Sequence, residues 1–306
     1  MTSLIEQAAQ RLEQLRQAGV SLPEIASPAA ETPAAPAPVA RAAAPEPVIT
    51  SRRVDIDTQA LAAAGIVTPD APRSQMADQY RVIKRPLISN AMGKGAAMVK
   101  HGNLIMVTSA VAGEGKSFTS INLAMSIAAE LDHTVMLVDA DVARPSVLRV
   151  LGLPPGPGLL DLLEGKAEMS SVLLRSNIDK LTLLPSGSPH PRATELLASD
   201  AMTALLDDMA TRYPDRIIIF DSPPLLLTTE SRVLASHMGQ IVVVVHAGRT
   251  LRSEVQDALA TIEQCPVRLL LLNKARTDTH GAYGYGYGYG YGYGQSPAPE
   301  AEQGAG

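Results

Sequence analysis

Six short apolar runs recur from residue 103 onward, separated mostly by segments that are compatible with helices. The runs cover residues 104–107, 135–138, 181–184, 217–220, 241–245 and 269–272. Continuous apolar strands that alternate with helices are typical of a parallel sheet covered on both faces. The pattern therefore predicts an α/β fold, with a doubly wound, mainly parallel sheet and helices on both faces. Right-handed crossovers in such a fold bring the carboxyl ends of the strands to one edge, where ligands bind.

A glycine-rich loop follows the first of these strands and opens a segment compatible with a helix. It reads Ala110-Val111-Ala112-Gly113-Glu114-Gly115-Lys116-Ser117. In such a loop the backbone N–H groups wrap phosphate oxygens, the lysine reaches the β- and γ-phosphates, and the serine hydroxyl ligates Mg²⁺. Alanine replaces the first glycine of the general pattern, and an ordinary glycine-rich turn is the alternative interpretation. We expect the nucleotide to contact Ala112, Gly113, Glu114, Gly115, Lys116, Ser117 and Phe118.

Aspartates follow two of the other predicted strands. Asp139 comes directly after the second run and Asp141 two residues later, and Asp221 comes directly after the fourth run. In a parallel sheet these carboxylates emerge at the same edge as the phosphate loop. Hard oxygen ligands beside a lysine and a serine are what a magnesium–nucleotide site requires. Capping of the following helices is the alternative role for these acids.

Together with a tyrosine cluster near the C-terminus, these motifs resemble the bacterial tyrosine kinases of polysaccharide synthesis. Those enzymes are tyrosine autokinases within the MinD/ParA-like class of phosphate-loop ATPases, and the resemblance covers residues 75–293. The long N-terminal arm, rich in alanine and proline, most resembles the branch associated with exosortase-linked exopolysaccharide clusters. The resemblance implies an ATP-dependent kinase that phosphorylates its own C-terminal tyrosines and thereby regulates exopolysaccharide or capsule synthesis and export.

The resemblance also implies a role for each acidic residue. Asp139 and Asp141 match the second acidic motif of the family, and Asp221 matches its Walker B aspartate. Our own mechanistic hypothesis from these positions is that Ser117 holds Mg²⁺ directly, that Asp141 and Asp221 hold it directly or through water, and that Asp139 accepts the phenol proton or orients the attacking oxygen. Asn273 matches the asparagine that contacts adenine, with a strand-end turn as its alternative role. The catalytic residues would be Lys116, Asp139, Asp141 and Asp221, acting on ATP with Mg²⁺.

Three positions bear on assembly and on the choice of subfamily. Asp78, Arg81 and Lys84 recur at spacings of three on a predicted helix over residues 75–86, where the family carries the charges that join subunits into a ring. A solvated charged face is the alternative. Val111 stands where partitioning and division-site ATPases carry a second lysine, which argues against a MinD-type positioning ATPase. The family's arginine two residues after its second acid is Ala143 here, with Arg144 next.

The C-terminal tail alternates tyrosine with glycine from residue 283 to residue 294. The alternate glycines disfavour a stable helix and give a strand little packing, so we expect a flexible strip. If the chain is an autokinase, these tyrosines are its phosphoacceptors. The alternative is a non-kinase ATPase switch in which the tail is an aromatic interaction segment. The predicted acceptors are Tyr283, Tyr285, Tyr287, Tyr289, Tyr291 and Tyr293.

The N-terminal region predicts a tethered helix. Residues 3–18 have an amphipathic pattern, with a frayed solvated terminus as the alternative, and residues 26–48 are mostly alanine and proline. We therefore divide the chain into a short amphipathic helix (1–25), a linker and poorly defined segment (26–73), a phosphate-loop kinase domain (74–276) and a tail (277–306).

Composition limits the location and the partners. The formal net charge of −5 gives no basis for nucleic-acid binding. Cys265 is the only cysteine, which fits a small buried side chain in a reducing compartment. No apolar run approaches the ~20 residues that span a bilayer, so we expect a cytoplasmic protein. The resemblance implies a ring-like homo-oligomer, a membrane-embedded chain-length or copolymerase protein as activator at the inner face of the plasma membrane, and an opposing tyrosine phosphatase.

Overall fold

The computed structural model describes residues 51–70, 73–95, 98–212 and 215–275. The strands are β1 (Arg52–Val54), β2 (Leu104–Ser109), β3 (Thr134–Asp139), β4 (Leu174–Ser176), β5 (Leu181–Leu184), β6 (Arg216–Asp221), β7 (Gln240–His246) and β8 (Val267–Asn273). The helices are α1 (Thr58–Ala63), α2 (Gln75–Ala91), α3 (Lys116–Ala128), α4 (Val147–Val150), α5 (Leu159–Leu163), α6 (Met169–Val172), α7 (Ala193–Leu197), α8 (Asp200–Arg212), α9 (Glu230–Ala235) and α10 (Arg252–Ala260).

The strands form one eight-stranded sheet in the order β1-β4-β5-β3-β6-β2-β7-β8. All neighbouring pairs are parallel except β4 and β5. Successive residues of β2 point to opposite faces, so Leu104 and Met106 enter one apolar cluster whereas Ile105 and Val107 enter the other. The two clusters explain why the central strands are apolar throughout. The predicted doubly wound, mainly parallel α/β fold is confirmed.

Residues 51–70 add a strand and a helix for which the sequence pattern gave no prediction. Strand β1 pairs in parallel with β4 at one edge of the sheet. Asn177 fixes the chain after β1, because its side chain accepts from the N–H of Ile56 at 2.9 Å and donates to the carbonyl of Ile56 at 3.0 Å. A three-residue strand with two arginines carries too little apolar pattern to be recognised.

Helix α2 continues through Pro86 to Ala91, five residues beyond the predicted end. Proline normally kinks or ends a helix because it lacks an N–H donor. The last turns are held by a buried amide at the start of β7: Gln240 donates to the carbonyl of Leu87 at 3.0 Å and accepts from Asn90 at 3.0 Å. Leu87 is almost completely buried. Tertiary packing therefore outweighs the local preference at Pro86.

Candidate phosphate-transfer site

The predicted phosphate loop connects β2 to α3. Gly113 and Gly115 have φ angles of +83° and +99°, in the region that favours glycine. A β-carbon on Gly115 would also lie 2.2 Å from the side-chain nitrogen of Asn273. Both the backbone conformation and the close approach therefore require glycine at position 115. Gly115 directly precedes α3, where free backbone N–H groups favour anions.

The end of β8 is joined to this loop by two hydrogen bonds. The amide nitrogen of Asn273 donates to the carbonyl of Glu114 at 2.8 Å, and the ammonium group of Lys274 donates to the carbonyl of Gly113 at 2.9 Å. Asn273 thus lies beside the loop, where the sequence places it. Its contact with adenine stays a prediction.

Glu114 braces the loop from inside, a role that the sequence did not predict. Its side chain is buried and accepts the N–H of Val111 at 2.8 Å. Its other oxygen accepts from the hydroxyl of Thr250 and, at 3.4 Å, from the N–H of His246. The carboxylate thereby links the loop to the connection between β7 and α10. A predicted contact of Glu114 with the nucleotide would therefore come from its main chain.

Asp139 and Asp221 occupy directly paired positions of the neighbouring strands β3 and β6, and both are buried. One oxygen of Asp139 accepts the N–H groups of Ser146 and Val147, each at 2.9 Å. One oxygen of Asp221 lies 3.1 Å from the hydroxyl of Ser120. The second oxygen of each carboxylate is buried without a hydrogen-bond partner.

The surroundings of these two acids favour their protonated forms. Burial, together with the charges of Asp221 and Asp141, raises the pKa of Asp139 to about 7. Burial also raises the pKa of Asp221 to about 6, although the charge of Lys116 opposes this shift. Two buried carboxylates with unpartnered oxygens form a site of excess negative charge. A bound divalent cation would remove that excess, so the residues present fit Mg²⁺.

Lys116, Ser117 and Asp141 complete the cluster. The ammonium nitrogen of Lys116 lies 2.7 Å from one oxygen of Asp141, and the other oxygen accepts the N–H of Arg144 at 3.1 Å. The hydroxyl groups of Ser117 and Ser146 are 2.9 Å apart. In the described residues no group of three or more His, Cys, Asp or Glu side chains forms a metal cage. Mg²⁺ in nucleotide sites is ordinarily held by few protein ligands together with phosphates and water.

The three charged residues assigned to a subunit interface have different surroundings in α2. Asp78 and Arg81 form an exposed ion pair. Lys84 is buried, 2.7 Å from the carboxylate of Glu130, and donates to the carbonyl of Ser126. A single solvated charged face therefore does not describe the helix, since Lys84 joins α2 to the end of α3. The interface role of the triplet stays a prediction.

Three further predictions concern Cys265, the absence of membrane spans and the two terminal segments. Cys265 is buried, as expected for a small apolar side chain. Among the helices that the structure describes, none has both the length and the apolar character needed to cross a bilayer. The tail tyrosines and the amphipathic pattern of residues 3–18 lie outside the described residues.

Comparison with known proteins places this geometry among phosphate-loop enzymes. A family model described as "ParA: NUBPL iron-transfer P-loop NTPase" matches residues 100–169, which include the loop, Asp139 and Asp141. Tyrosine-protein kinase YwqD of Bacillus subtilis (strain 168) is 31% identical over 221 residues, covering 72% of this chain and 90% of the relative. Tyrosine-protein kinase CpsD of Streptococcus agalactiae is 33% identical over 191 residues, covering 60% of this chain and 82% of the relative.

Solved structures agree with the sequence relatives. The chimerical protein CapA2B2 superposes with a TM-score of 0.57 at 25% identity, covering 72% of this chain and 92% of that chain. The kinase domain of the Escherichia coli tyrosine kinase ETK superposes with a TM-score of 0.52 at 25% identity, covering 76% and 99%.

Proposed function

Because the chain belongs to the family of bacterial tyrosine-protein kinases, we propose that it transfers the γ-phosphoryl group of ATP to tyrosines of its own C-terminal tail. One observation carries the proposal. The loop lysine and serine, Lys116 and Ser117, meet three buried aspartates at one edge of the sheet. Phosphoryl transfer depends mainly on positioning and on stabilisation of charge, and this edge provides both.

Each residue of the edge has a separate task in this proposal. The backbone of residues 113–117 and the ammonium group of Lys116 hold the phosphates, so Lys116 exchanges its contact with Asp141 for phosphate oxygens. Ser117, Asp141 and Asp221 would hold Mg²⁺, which neutralises phosphate charge when it is bound. The unpartnered buried oxygen of Asp221 supports a cation at this position.

Asp139 is the residue best suited to accept the proton of the attacking phenol. Two backbone N–H groups fix one of its oxygens, and the other oxygen has no partner. Burial is the main cause that raises the pKa of this carboxyl, and a carboxylate with a raised pKa is a stronger base. The phenol oxygen forms a bond to the γ-phosphorus as the bond to the leaving ADP oxygen breaks, and the proton passes to Asp139.

The finer parts of the proposal concern the acceptors and the partners. The acceptors are the six tyrosines of the tail, which follow the last core strand and can reach a neighbouring subunit. The enzyme would act as a ring-like homo-oligomer at the inner face of the membrane, activated by a separate membrane chain-length or copolymerase protein and opposed by a tyrosine phosphatase. Its output would regulate the synthesis and export of an exopolysaccharide or capsule.

The intact mass of purified protein after incubation with Mg²⁺ and ATP tests the proposal. We expect mass steps of one phosphate, mapping to residues 283–293 by peptide sequencing. Lys116→Met removes the phosphate-binding ammonium and should lower the rate by at least about 10²-fold, on the scale of removing one transition-state donor. Lys94→Met, which changes an exposed lysine after α2, is the matched control and should behave like the unmodified protein. Abundant tail phosphotyrosine on purified Lys116→Met protein would contradict autokinase activity and favour the alternative of a non-kinase switch.

A further inference from the structure

A large apolar groove lies between α2 and β8, outside the cluster of catalytic residues. Its volume is about 1050 Å³, and its lining includes Met76, Ile83, Leu269 and Leu271. One end reaches Gly115 and Asn273 beside the phosphate loop. Because ligand pockets of drug-sized molecules range from about 300 to 1,000 Å³, the groove has more room than the base of one nucleotide requires. Its outer part is therefore open to another occupant.

Strand β8 forms an outer edge of the sheet and pairs only with β7 among the described residues. Its other edge presents main-chain N–H and C=O groups in a row, flanked by exposed Leu270 (58%) and Leu272 (63%). Val82 of α2, which also lines the groove, is 73% exposed. Natural proteins rarely leave an edge strand with four consecutive leucines uncovered, because it can pair with other chains.

We propose that a stretch of about seven residues within 283–294 of the same chain docks along the free edge of β8 as an added strand. Side chains alternate between the two faces of a strand, so the tyrosine–glycine repeat places the tyrosines of the docked stretch on one face. That face would cover the apolar groove, while main-chain hydrogen bonds join the segment to β8. Residues 281–299 contain no charged side chain, which suits an apolar lining.

The place where the chain leaves the sheet favours this occupant. Ala275, two residues after β8, itself lines the groove, and residues 276–282 are enough for a loop that reverses direction. By contrast, β1 lies at the opposite edge of the sheet. Seven strand spacings of about 4.8 Å separate the two edges by roughly 34 Å. The C-terminal segment is therefore the part of the chain that starts at the groove.

Docking of this kind should be weak and reversible. The glycines lose much conformational freedom when they are ordered, and only the short connection to β8 offsets that loss by keeping the segment close. The proposal does not require phosphorylation. If the proposed function also holds, each phosphate would add about 1.5 to 2 negative charges, and an apolar groove would release the modified segment.

Tyrosine fluorescence and hydrogen exchange can detect the docked segment in the full chain. The protein has no tryptophan, and six of its eight tyrosines lie in the tail, so quenching of the intrinsic emission by acrylamide reports on their exposure. The measurements use the Lys116→Met background without nucleotide, so that failure of the docking and failure of the kinase proposal are distinguishable. Exchange is followed on peptides that contain residues 267–275.

Two variants are designed to weaken the docking, one by changing the groove and the other by changing the tail. Val82→Glu places a charge on the lining of the groove, and Gly286→Pro with Gly290→Pro blocks main-chain pairing while keeping every tyrosine. Leu131→Glu, at an exposed leucine that does not line the groove, is the matched control. We expect both docking variants to increase quenching and to speed exchange of the edge amides of β8 about tenfold, equivalent to about 1.4 kcal/mol. The control should match the parent.

Equal quenching and equal exchange in the parent and the proline variant would overturn the proposal. The proline variant changes only residues outside the described part of the chain, so this result would not reflect a misfolded core. A second copy as occupant gives a different result. Protection of β8 would then rise with protein concentration, together with dimers in light scattering, and the proposal for the chain's own tail would fail.

Discussion

At the centre of the sheet β3 and β6 end in buried carboxylates, whereas at the outer edge β8 presents exposed leucines. The centre surrounds its acids with backbone N–H groups, a lysine and serine hydroxyls, but leaves one oxygen of Asp139 and one of Asp221 without a partner. The edge leaves apolar side chains and one side of a strand uncovered. Within the described chain, the centre lacks partners for two buried carboxylate oxygens, and the edge lacks a cover for its apolar side chains. The centre therefore points to a bound cation, and the edge points to an added apolar segment.

The contrast separates two kinds of recognition. Fixed strands hold the central groups at set distances, which suits a charged reaction centre that must stay preorganised. The outer edge offers area and main-chain hydrogen bonds, which suit a segment that comes and goes. The loop around Gly115 and Asn273 lies between the two regions and contacts both.

The largest effect that we expect at the centre is a free energy of unfolding that falls as the pH rises, the opposite of what an exposed, ion-paired carboxylate causes. The pKa of Asp139 is raised to about 7 in the folded protein, by burial first and by the neighbouring acids second. Between pH ~4 and ~7 the folded state therefore binds more protons than the unfolded state, and the free energy of unfolding falls as the pH rises. At about 1.4 kcal/mol per pKa unit, a rise of roughly three pKa units makes this acid responsible for a loss of about 4 kcal/mol over this pH range.

Urea unfolding without Mg²⁺ or nucleotide checks this expectation. Asp139→Asn should flatten the fall in stability between pH 4 and 7 and should also slow tail phosphorylation. Asp78→Asn, in an exposed ion pair, is the control and should keep the slope. A variant and a parent that lose stability equally over this range would show that Asp139 is not the source.

We expect a smaller effect, on kcat/KM for ATP, when the carboxylate of Glu114 that braces the phosphate loop is removed. Glu114→Ala leaves the N–H of Val111 and the hydroxyl of Thr250 without their acceptor. A displaced loop misplaces the phosphates, and errors of about 1 Å can lower rates roughly 10²-fold. We expect kcat/KM for ATP to fall about 10- to 100-fold, measured from initial rates over a range of ATP concentrations.

Thr250→Val provides a graded comparison, because it removes one of the donors to Glu114 and keeps the side-chain shape. Its effect should have the same direction and be smaller. Unchanged kinetics in Glu114→Ala would show that the loop keeps its shape without the carboxylate, so the brace would have no functional role.

The smallest effect concerns Lys84, which the sequence assigns to a subunit interface. Its hydrogen bond holds the pKa of Glu130 below the usual range, and its side chain is buried between α2 and α3. Lys84→Met keeps most of the packing and should lower the free energy of unfolding by about 1 kcal/mol, because the loss of the contacts with Glu130 and Ser126 is partly offset when a charge is no longer buried. The midpoint of urea unfolding measures this loss.

The size of the assembly by light scattering provides the second measurement. If Lys84 acts within the fold, the oligomer of Lys84→Met should match the parent, whereas Arg81→Met should weaken any ring that uses the exposed ion pair. If the Lys84→Met oligomer instead dissociates while the free energy of unfolding is unchanged, Lys84 acts at the subunit interface.

Much of the fold and the residue types of the site could be predicted from sequence. Continuous apolar runs reported strands buried on both faces, and Asp139, Asp141 and Asp221 follow such strands, so topology alone brings them to one edge. The sequence also placed Gly115 in the phosphate loop, although the reason a glycine is required there came from the structure. These features depend on local periodicity and on a general rule for parallel sheets.

The features that escaped prediction depend on contacts between distant residues. The partners of Glu114 include Thr250, 136 positions away, and the burial of Lys84 depends on the end of α3, 42 positions away. Strand β1 is recognisable only through its pairing with β4. Local patterns carry no information about such pairs, and a charged side chain is by default expected on the surface.

The hydrogen bond from Lys274 to Gly113 fixes the origin of the tail at the phosphate loop. Tyr283 follows Ala275 by 8 residues and Tyr293 by 18. At no more than about 3.5 Å per residue, these tyrosines lie within roughly 28 Å and 63 Å of that origin. An active site that modifies Tyr283, in this chain or in a neighbour, must lie within roughly 28 Å of that origin, and one that modifies Tyr293 must lie within roughly 63 Å. The anchoring point thus sets an upper limit on the spacing of subunits that can phosphorylate one another.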